Sequence, residues 1–425
     1  MAAHRGLSRD GPLMRLYASA APFHSSRTYR RWGTVAPTMG CNVKQSTERI
    51  LTTHTGSLPR PEPLVAMLKD KEAGTLRDHA AFDVAVKIAV KDIVKKQRDV
   101  GIDLVNDGEM SKVGYSTYVT DRVTGFEPKT ASDMLRVADV ADYPNFAKRW
   151  AQDKSVTTLK RPCCTGPITY RGQAELETDI ANMKAVMSAA GIDEAFMSAA
   201  SPGVVSMFLD NHHYPTHEAY IFAVAEAMKT EYEAIHRAGL ILQLDCPDLA
   251  MGHHIHFVGT TVPEFRKIAA THVAAINAAT ANIPPDRMRM HLCWANYHGP
   301  HHHDIALSDI IDIIFGGRPA AISYVAANPR HEHEFELFRD LKLPAGKILI
   351  PGVIDSTSNF IEHPRLVAQR IVNLAKLVGR ENVIAGTDCG FGTFAGSETV
   401  DADIAWAKLS AMAEGARMAS KELWA

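Results

Sequence analysis

Residues 288–294 read MRMHLCW, and within this run His291 and Cys293 have a single residue between them. On an extended strand, alternate side chains share a face, so the imidazole and the thiol point the same way and can reach one ion. The run therefore predicts a strand from Met288 to Cys293 that ends in two potential metal ligands. Taken alone, a His-x-Cys pair is better explained by a satisfied core histidine beside a buried thiol.

Working outward, short apolar runs alternate with longer amphipathic segments from residue 50 onward, the pattern of strand-helix units around a parallel sheet. The predicted strands are Ile50 to His54, Ile102 to Asp107, Thr157 to Cys164, Leu240 to Asp245, Met288 to Cys293, Ala320 to Ala326, Ile348 to Ile354 and Val383 to Thr387. Ala195 to Ala200 reads either as a ninth strand or as part of an insertion. Helices are predicted at Ala80 to Val100 and Glu218 to Ala238, with apolar spacings of three and four and a glycine just past each end.

Eight strands with helices between them make an α/β fold, a (β/α)8 TIM barrel with insertions. Such a barrel commonly needs about 250 residues. His54, Asp107, Glu109, Thr165, Asp245, His291, Cys293, Asn328, Asp355, Asp388 and Cys389 all fall at or just beyond predicted strand C-termini. That rim is where barrel side chains from different strands converge into one site.

Of the 425 residues, 46% are hydrophobic and 22% charged, the balance of a globular chain with a sizeable core. A net charge of -2 gives no broad basic face for nucleic acid or an anionic membrane, so the expected partners are small molecules. No apolar run is long enough to span a bilayer. The cysteines at 41, 163, 164, 246, 293 and 389 lack the dense spacing of a disulfide scaffold and fit a reducing compartment.

Residues 1–48 differ from the rest. They carry Arg5, Arg9, Arg15, Arg27, Arg30 and Arg31 with several serines, and Asp10 is the only acid before Glu48. That is the composition of a mitochondrial transit peptide, of a disordered extension, or of a leader upstream of a start at Met39. The expected location is cytoplasmic, or mitochondrial if the Arg-rich segment targets. Residues 49–425 are expected to form the single barrel.

A third ligand is offered by Cys389 in GTDCGFG after the last predicted strand, where glycines allow close backbone approach. Two thiols and an imidazole favour zinc over magnesium or calcium, and three protein ligands leave a coordination position open. A thiol bound there loses its proton near neutral pH and becomes a nucleophile.

With these motifs in hand, the chain from about Ile50 to its end resembles the catalytic C-terminal barrel of cobalamin-independent methionine synthase. It is similar also to that enzyme's single-barrel relatives, including the zinc-dependent epoxyalkane:coenzyme M transferases. The resemblance implies zinc ligation by His291, Cys293 and Cys389. It implies that Thr55, Gly56 and Ser57 in HTGSLPR, Glu109 in DGE and Asp245 in QLDCPDLA hold a homocysteine-like substrate, and that TGPIT, Thr165 to Thr169, is a family loop. Asp245 and Asp355 are the expected catalytic carboxylates.

Two positions depart from the family. Val325 stands where the synthases carry a glutamate ligand, leaving either a three-residue site completed by substrate or water, or substitution by Glu332, His331 or His333. Thr357 stands in PGVIDSTSN where the synthases place a histidine that protonates the departing folate nitrogen. The expected reaction is zinc-dependent transfer of a methyl or related alkyl group to a small thiol such as homocysteine. Its alternatives are alkylation of another thiol by an epoxide or other non-folate donor, and a non-catalytic relative that binds zinc or a thiol. HGPHHHD, His298 to Asp304, reads as a polar rim loop rather than a second metal site, and His212, His213, His253, His254 and His256 as pocket lining or surface. Adjacent Cys163 and Cys164 face opposite sides of a strand and read as packing residues, and Tyr324 and Trp294 as core or pocket wall.

Overall fold

The structure, a computed structural model, describes residues 44–127, 137–152, 162–397 and 399–425. Most of the Arg-rich stretch and residues 157–161 of one predicted strand lie outside the described residues. Nine strands are found there: β1 (Leu51–Thr52), β2 (Phe126–Glu127), β3 (Cys163–Cys164), β4 (Phe196–Ala200), β5 (Ile241–Asp245), β6 (Met288–Leu292), β7 (Ala321–Tyr324), β8 (Ile348–Ile354) and β9 (Ile384–Thr387). Seven of them form one sheet in the order β1-β9-β8-β7-β6-β5-β4, and every pairing in it is parallel.

Three expectations change. Cys163–Cys164 does not join this sheet but pairs antiparallel with Phe126–Glu127 in a separate two-stranded one. Phe196–Ala200, which the sequence left open, takes a full place beside β5. Apolar runs alone could not separate the two, because both contain a short buried stretch. A third change lies between β4 and β1, where the predicted strand Ile102 to Asp107 does not form: Ile102 to Val105 passes there with one isolated parallel bridge, Val105 to Ala195. Leu104 N–H donates to the Thr52 carbonyl at 3.0 Å, and the Val105 carbonyl accepts from Phe196 N–H at 3.1 Å.

The helices fall close to their predicted spans, at His79–Asp99 and His217–Arg237. Asp78 and Thr216 cap them by accepting backbone N–H bonds from Ala81 and Ala219. Among the described residues, no helix is long and apolar enough to cross a membrane. Contacts of the folded unit reach back to Ser46, which is buried and donates to the Val383 carbonyl at 2.6 Å.

Strand alternation explains the core. One face of the sheet packs Leu242, Leu244, Met288, Met290 and Leu292 into the main apolar cluster with residues of the surrounding helices. On the other face, toward the N-terminal end, Leu104, Phe196, Ile241, Ala321, Ile348, Ile350 and Ile384 form a second cluster, with the partly buried Leu51 packed against it. Each fully buried aliphatic side chain there contributes about 2 kcal/mol. On β6 the same layer is occupied by Arg289, whose guanidinium lies 4.0 Å over the Phe196 ring. Toward the strand C-termini this inner face turns polar.

Candidate metal centre and substrate pocket

Residues two apart share a face, so β5 turns Ile241, Gln243 and Asp245 inward, and neighbouring β6 turns Arg289 and His291 inward with Cys293 just beyond. Register places Gln243 beside Arg289 and Asp245 beside His291. An apolar floor is thus overlaid by polar groups in the order in which the strands exit.

His291 and Cys293 meet Cys389, which follows β9. The three donor atoms lie within 4.8 Å of one another and all three residues are buried. Cys293 Sγ is 2.9 Å from Cys389 Sγ. Among the described residues, the side-chain hydrogen-bond partner of His291 is the Ser323 hydroxyl, 3.3 Å from Nδ1. Burial, helped by the charge of Arg289, pushes the imidazole down to about 3, so the ring is neutral at physiological pH. Burial first, and then Cys293, push the Cys389 thiol well above its ordinary range. A neutral imidazole beside two sulfurs is a soft-to-borderline donor set suited to zinc.

The Cys389 loop is held by a chain of hydrogen bonds. Its N–H donates to Ser356 Oγ at 3.1 Å, and Ser356 donates to Asn296 Oδ1 at 2.9 Å. Asn296 Nδ2 donates in turn to the Gly390 carbonyl at 2.9 Å and to Thr393 Oγ1 at 2.8 Å. Asp388 points away from the sulfurs and accepts backbone N–H bonds from Ala326, Ala327 and Asn328 at 2.8, 2.8 and 2.7 Å. A Cβ at Gly352 would come within 1.9 Å of that carboxylate, so only glycine lets Asp388 reach the turn. Burial, and secondarily Asp355, raise Asp388 to about 7.

Thr55, Gly56 and Ser57 run against the same loop. Thr55 N–H donates to Thr387 Oγ1 at 3.1 Å, and Phe391 N–H donates to the Ser57 carbonyl at 2.8 Å. Gly56 has φ +150, and a Cβ there would stand 2.6 Å from both Glu109 Oε1 and Ser198 Oγ. Gln243 Nε2 donates to Asp245 Oδ1 at 2.8 Å and to the Thr55 carbonyl, tying β5 to this segment.

Glu109 occupies left-handed backbone at φ 59. A non-glycine residue there costs about 1–2 kcal/mol. The conformation is held by Glu109 N–H donating to Asp107 Oδ1 at 3.0 Å and by Arg60 Nη2 donating to the Glu109 carbonyl at 3.0 Å. Glu109 Oε2 is buried and has no hydrogen-bond partner among the described residues. Asp245 is pushed well above the carboxylate range by burial and then by the charge of Glu109. Asp355 lies to one side, its Oδ1 accepting from Thr357 N–H at 3.0 Å and from the Thr357 hydroxyl at 2.8 Å.

The substitutes considered for the ligand missing at Val325 are engaged elsewhere. His331 sits between Asp304 and Glu334, 2.9 Å from each, Glu332 pairs with Arg370 at 2.8 Å, and His333 is exposed. His212, His213 and His256 are exposed, and His254 is buried 3.4 Å from Asp304, so the scattered histidines do not converge on one pocket. Sequence reasoning missed Gln243, Arg60, Ser356 and Asn296. Gln243 had a usable signal in its two-residue offset from Asp245, whereas the other three act across loops and leave no spacing to read.

The sequence profile of the cobalamin-independent synthase catalytic domain matches residues 148–416. A methionine synthase of Thermococcus kodakarensis is 24% identical over 386 residues, covering 87% of this chain and 93% of that protein. One of Pyrococcus horikoshii is 25% identical over 372 residues, covering 87% and 92%. Among solved structures, a B12-independent methionine synthase from Shewanella sp. W3-18-1, in complex with selenomethionine, shares the fold with a TM-score of 0.66 at 17% identity, covering 88% of this chain and 99% of that one.

Proposed function

The chain belongs to the cobalamin-independent synthase catalytic-domain family, and from that premise we propose that it is a zinc-dependent transferase moving a methyl group to homocysteine or a similar thiol. The reading takes Ile102 to Val105 as the eighth stave of a closed barrel, one domain over residues 49–425, with its site at the strand C-termini. His291, Cys293 and Cys389 would hold the zinc. Bound there, zinc supplies a Lewis acid that makes a thiol acidic at neutral pH.

The convergence of three soft donors from two distant segments carries the proposal. The surrounding residues supply the rest. Glu109, with an unpartnered buried oxygen, and Asp245, whose ionisation burial opposes, would be relieved by a single ammonium between them. A homocysteine-like amino group fits that need, with Thr55, Gly56 and Ser57 as the adjoining wall. Asp355 would stand on the donor side and handle the proton there.

A second reading, alkylation by an epoxide or other non-folate donor, rests on Thr357. Its hydroxyl donates to Asp355, and it offers no strong acid for a departing amine nitrogen. Zinc-loaded protein given homocysteine and a methylated folate is expected to yield methionine. Product formation only with an epoxide or another alkyl donor selects the second reading, and undiminished turnover after zinc removal refutes both.

A further inference from the structure

The loop that follows Cys293 carries three consecutive histidines at 301–303, and they have different fates. His301 is buried against Asp304, at 2.9 Å. His302 and His303 turn outward to Asp142, which lies just after the short helix Ala138–Ala141 of a separate segment. The Nε2 atoms of His302 and His303 lie 2.9 and 2.7 Å from the same oxygen, Asp142 Oδ2. Their rings are 4.3 Å apart between centroids, with 38° between planes, and Tyr143 packs edge-on against His302 at 5.4 Å.

We propose that Asp142, His302 and His303 form a second metal site, selective for a divalent transition cation such as zinc and independent of the thiol-lined centre. The three ligand atoms lie within 4.8 Å of one another, all on the accessible side of the loop. Tetrahedral zinc holds nitrogen and oxygen ligands at about 2.0–2.2 Å, which sets them about 3.3 Å apart, so the existing spacings need only small rotations to admit an ion. Two neutral imidazoles and one carboxylate suit zinc, cobalt, nickel or copper. Magnesium and calcium prefer all-oxygen shells.

The two sides of the site are already registered without metal. The Tyr297 hydroxyl and the His301 N–H, the latter at 2.7 Å, both donate to Asp139, and Trp150 packs on Tyr297 at 5.7 Å. An ion at Asp142 would therefore close a clasp between the 137–152 segment and the loop whose Asn296 steadies the Gly390 backbone. The proposal departs from the reading of a plain polar rim loop, because a partner far away in sequence completes the ligand set.

The test is a cobalt and zinc titration of untagged, full-length, chelator-stripped protein. Two equivalents are expected: one with the sulfur-to-cobalt charge-transfer band in the near ultraviolet, and one with visible ligand-field bands alone. In the combined D142A, H302A and H303A variant only the second is lost, H303Q alone weakens it at least tenfold, and millimolar magnesium leaves it in place. One equivalent at saturation in the unmodified chain, a second equivalent surviving in the triple variant, or displacement by magnesium overturns the proposal. The substitutions are at the surface, so circular dichroism of the triple variant is expected to match that of the unmodified chain.

Discussion

Two buried histidines flank the Cys293–Trp294 dipeptide and have opposite electrostatic states. His291 has the Ser323 hydroxyl as its hydrogen-bond partner and no carboxylate on its ring among the described residues, and burial drives it down to about 3. His331, its ring tilted against Trp294 with centroids 4.4 Å apart, is buried too, yet the Asp304 and Glu334 carboxylates lift it to about 9. A histidine with no carboxylate keeps a free lone pair and can ligate, whereas one between two carboxylates is cationic, donor-only and serves to hold structure. In a chain with 20 histidines, the partner of each ring decides its role.

The contrast breaks first at the sulfurs. Cys389→Ser is expected to abolish stoichiometric zinc by elemental analysis and to lower turnover about a thousandfold, ~4 kcal/mol of transition-state stabilisation. Normal activity in that variant would remove Cys389 from the centre. His331→Gln is expected to do the reverse: it leaves Asp304 short of a charge partner and costs about 3 kcal/mol in chemical denaturation, with zinc retained.

The same pair sets the pH limits of stability in metal-free protein. The folded-state pKa of His331 is raised, so its contribution is complete below its ordinary value of 6.5 and fades as pH climbs through about 9. His291 is depressed, so its contribution is present above 6.5 and fades as pH falls through about 3. Melting temperature against pH should decline on both sides, and His331→Gln should flatten only the alkaline side.

Smaller effects sharpen the comparison. Asn296→Ala frees the Cys389 loop and is expected to weaken zinc affinity about 10–100-fold, read by chelator competition. Ser323→Ala removes one hydrogen bond to His291 and should cost only about threefold, ~0.6 kcal/mol, in the same assay. A larger loss from Ser323→Ala than from Asn296→Ala would invert the proposed ranking.

Much of this was legible in the sequence because it is local. His291 near the end of a strand and Cys293 just past it lie two apart, Cys389 follows a strand near glycines, and the two long helices were placed within a residue or so. What escaped depends on which distant segments meet. Cys163–Cys164 and Phe196–Ala200 are both short buried runs, and only pairing tells the side sheet from the main one. Asn296 reaches Gly390 and His302 reaches Asp142 across loops, where no periodicity signals the contact.

Asp388 adds a practical consequence. Its carboxylate gathers three amides of the turn after β7, while the next residue along the chain supplies a sulfur of the candidate metal centre. Filling or emptying the centre should therefore be transmitted to Ala326, Ala327 and Asn328. Their hydrogen-exchange rates would then act as a built-in gauge of occupancy, readable with no substrate present.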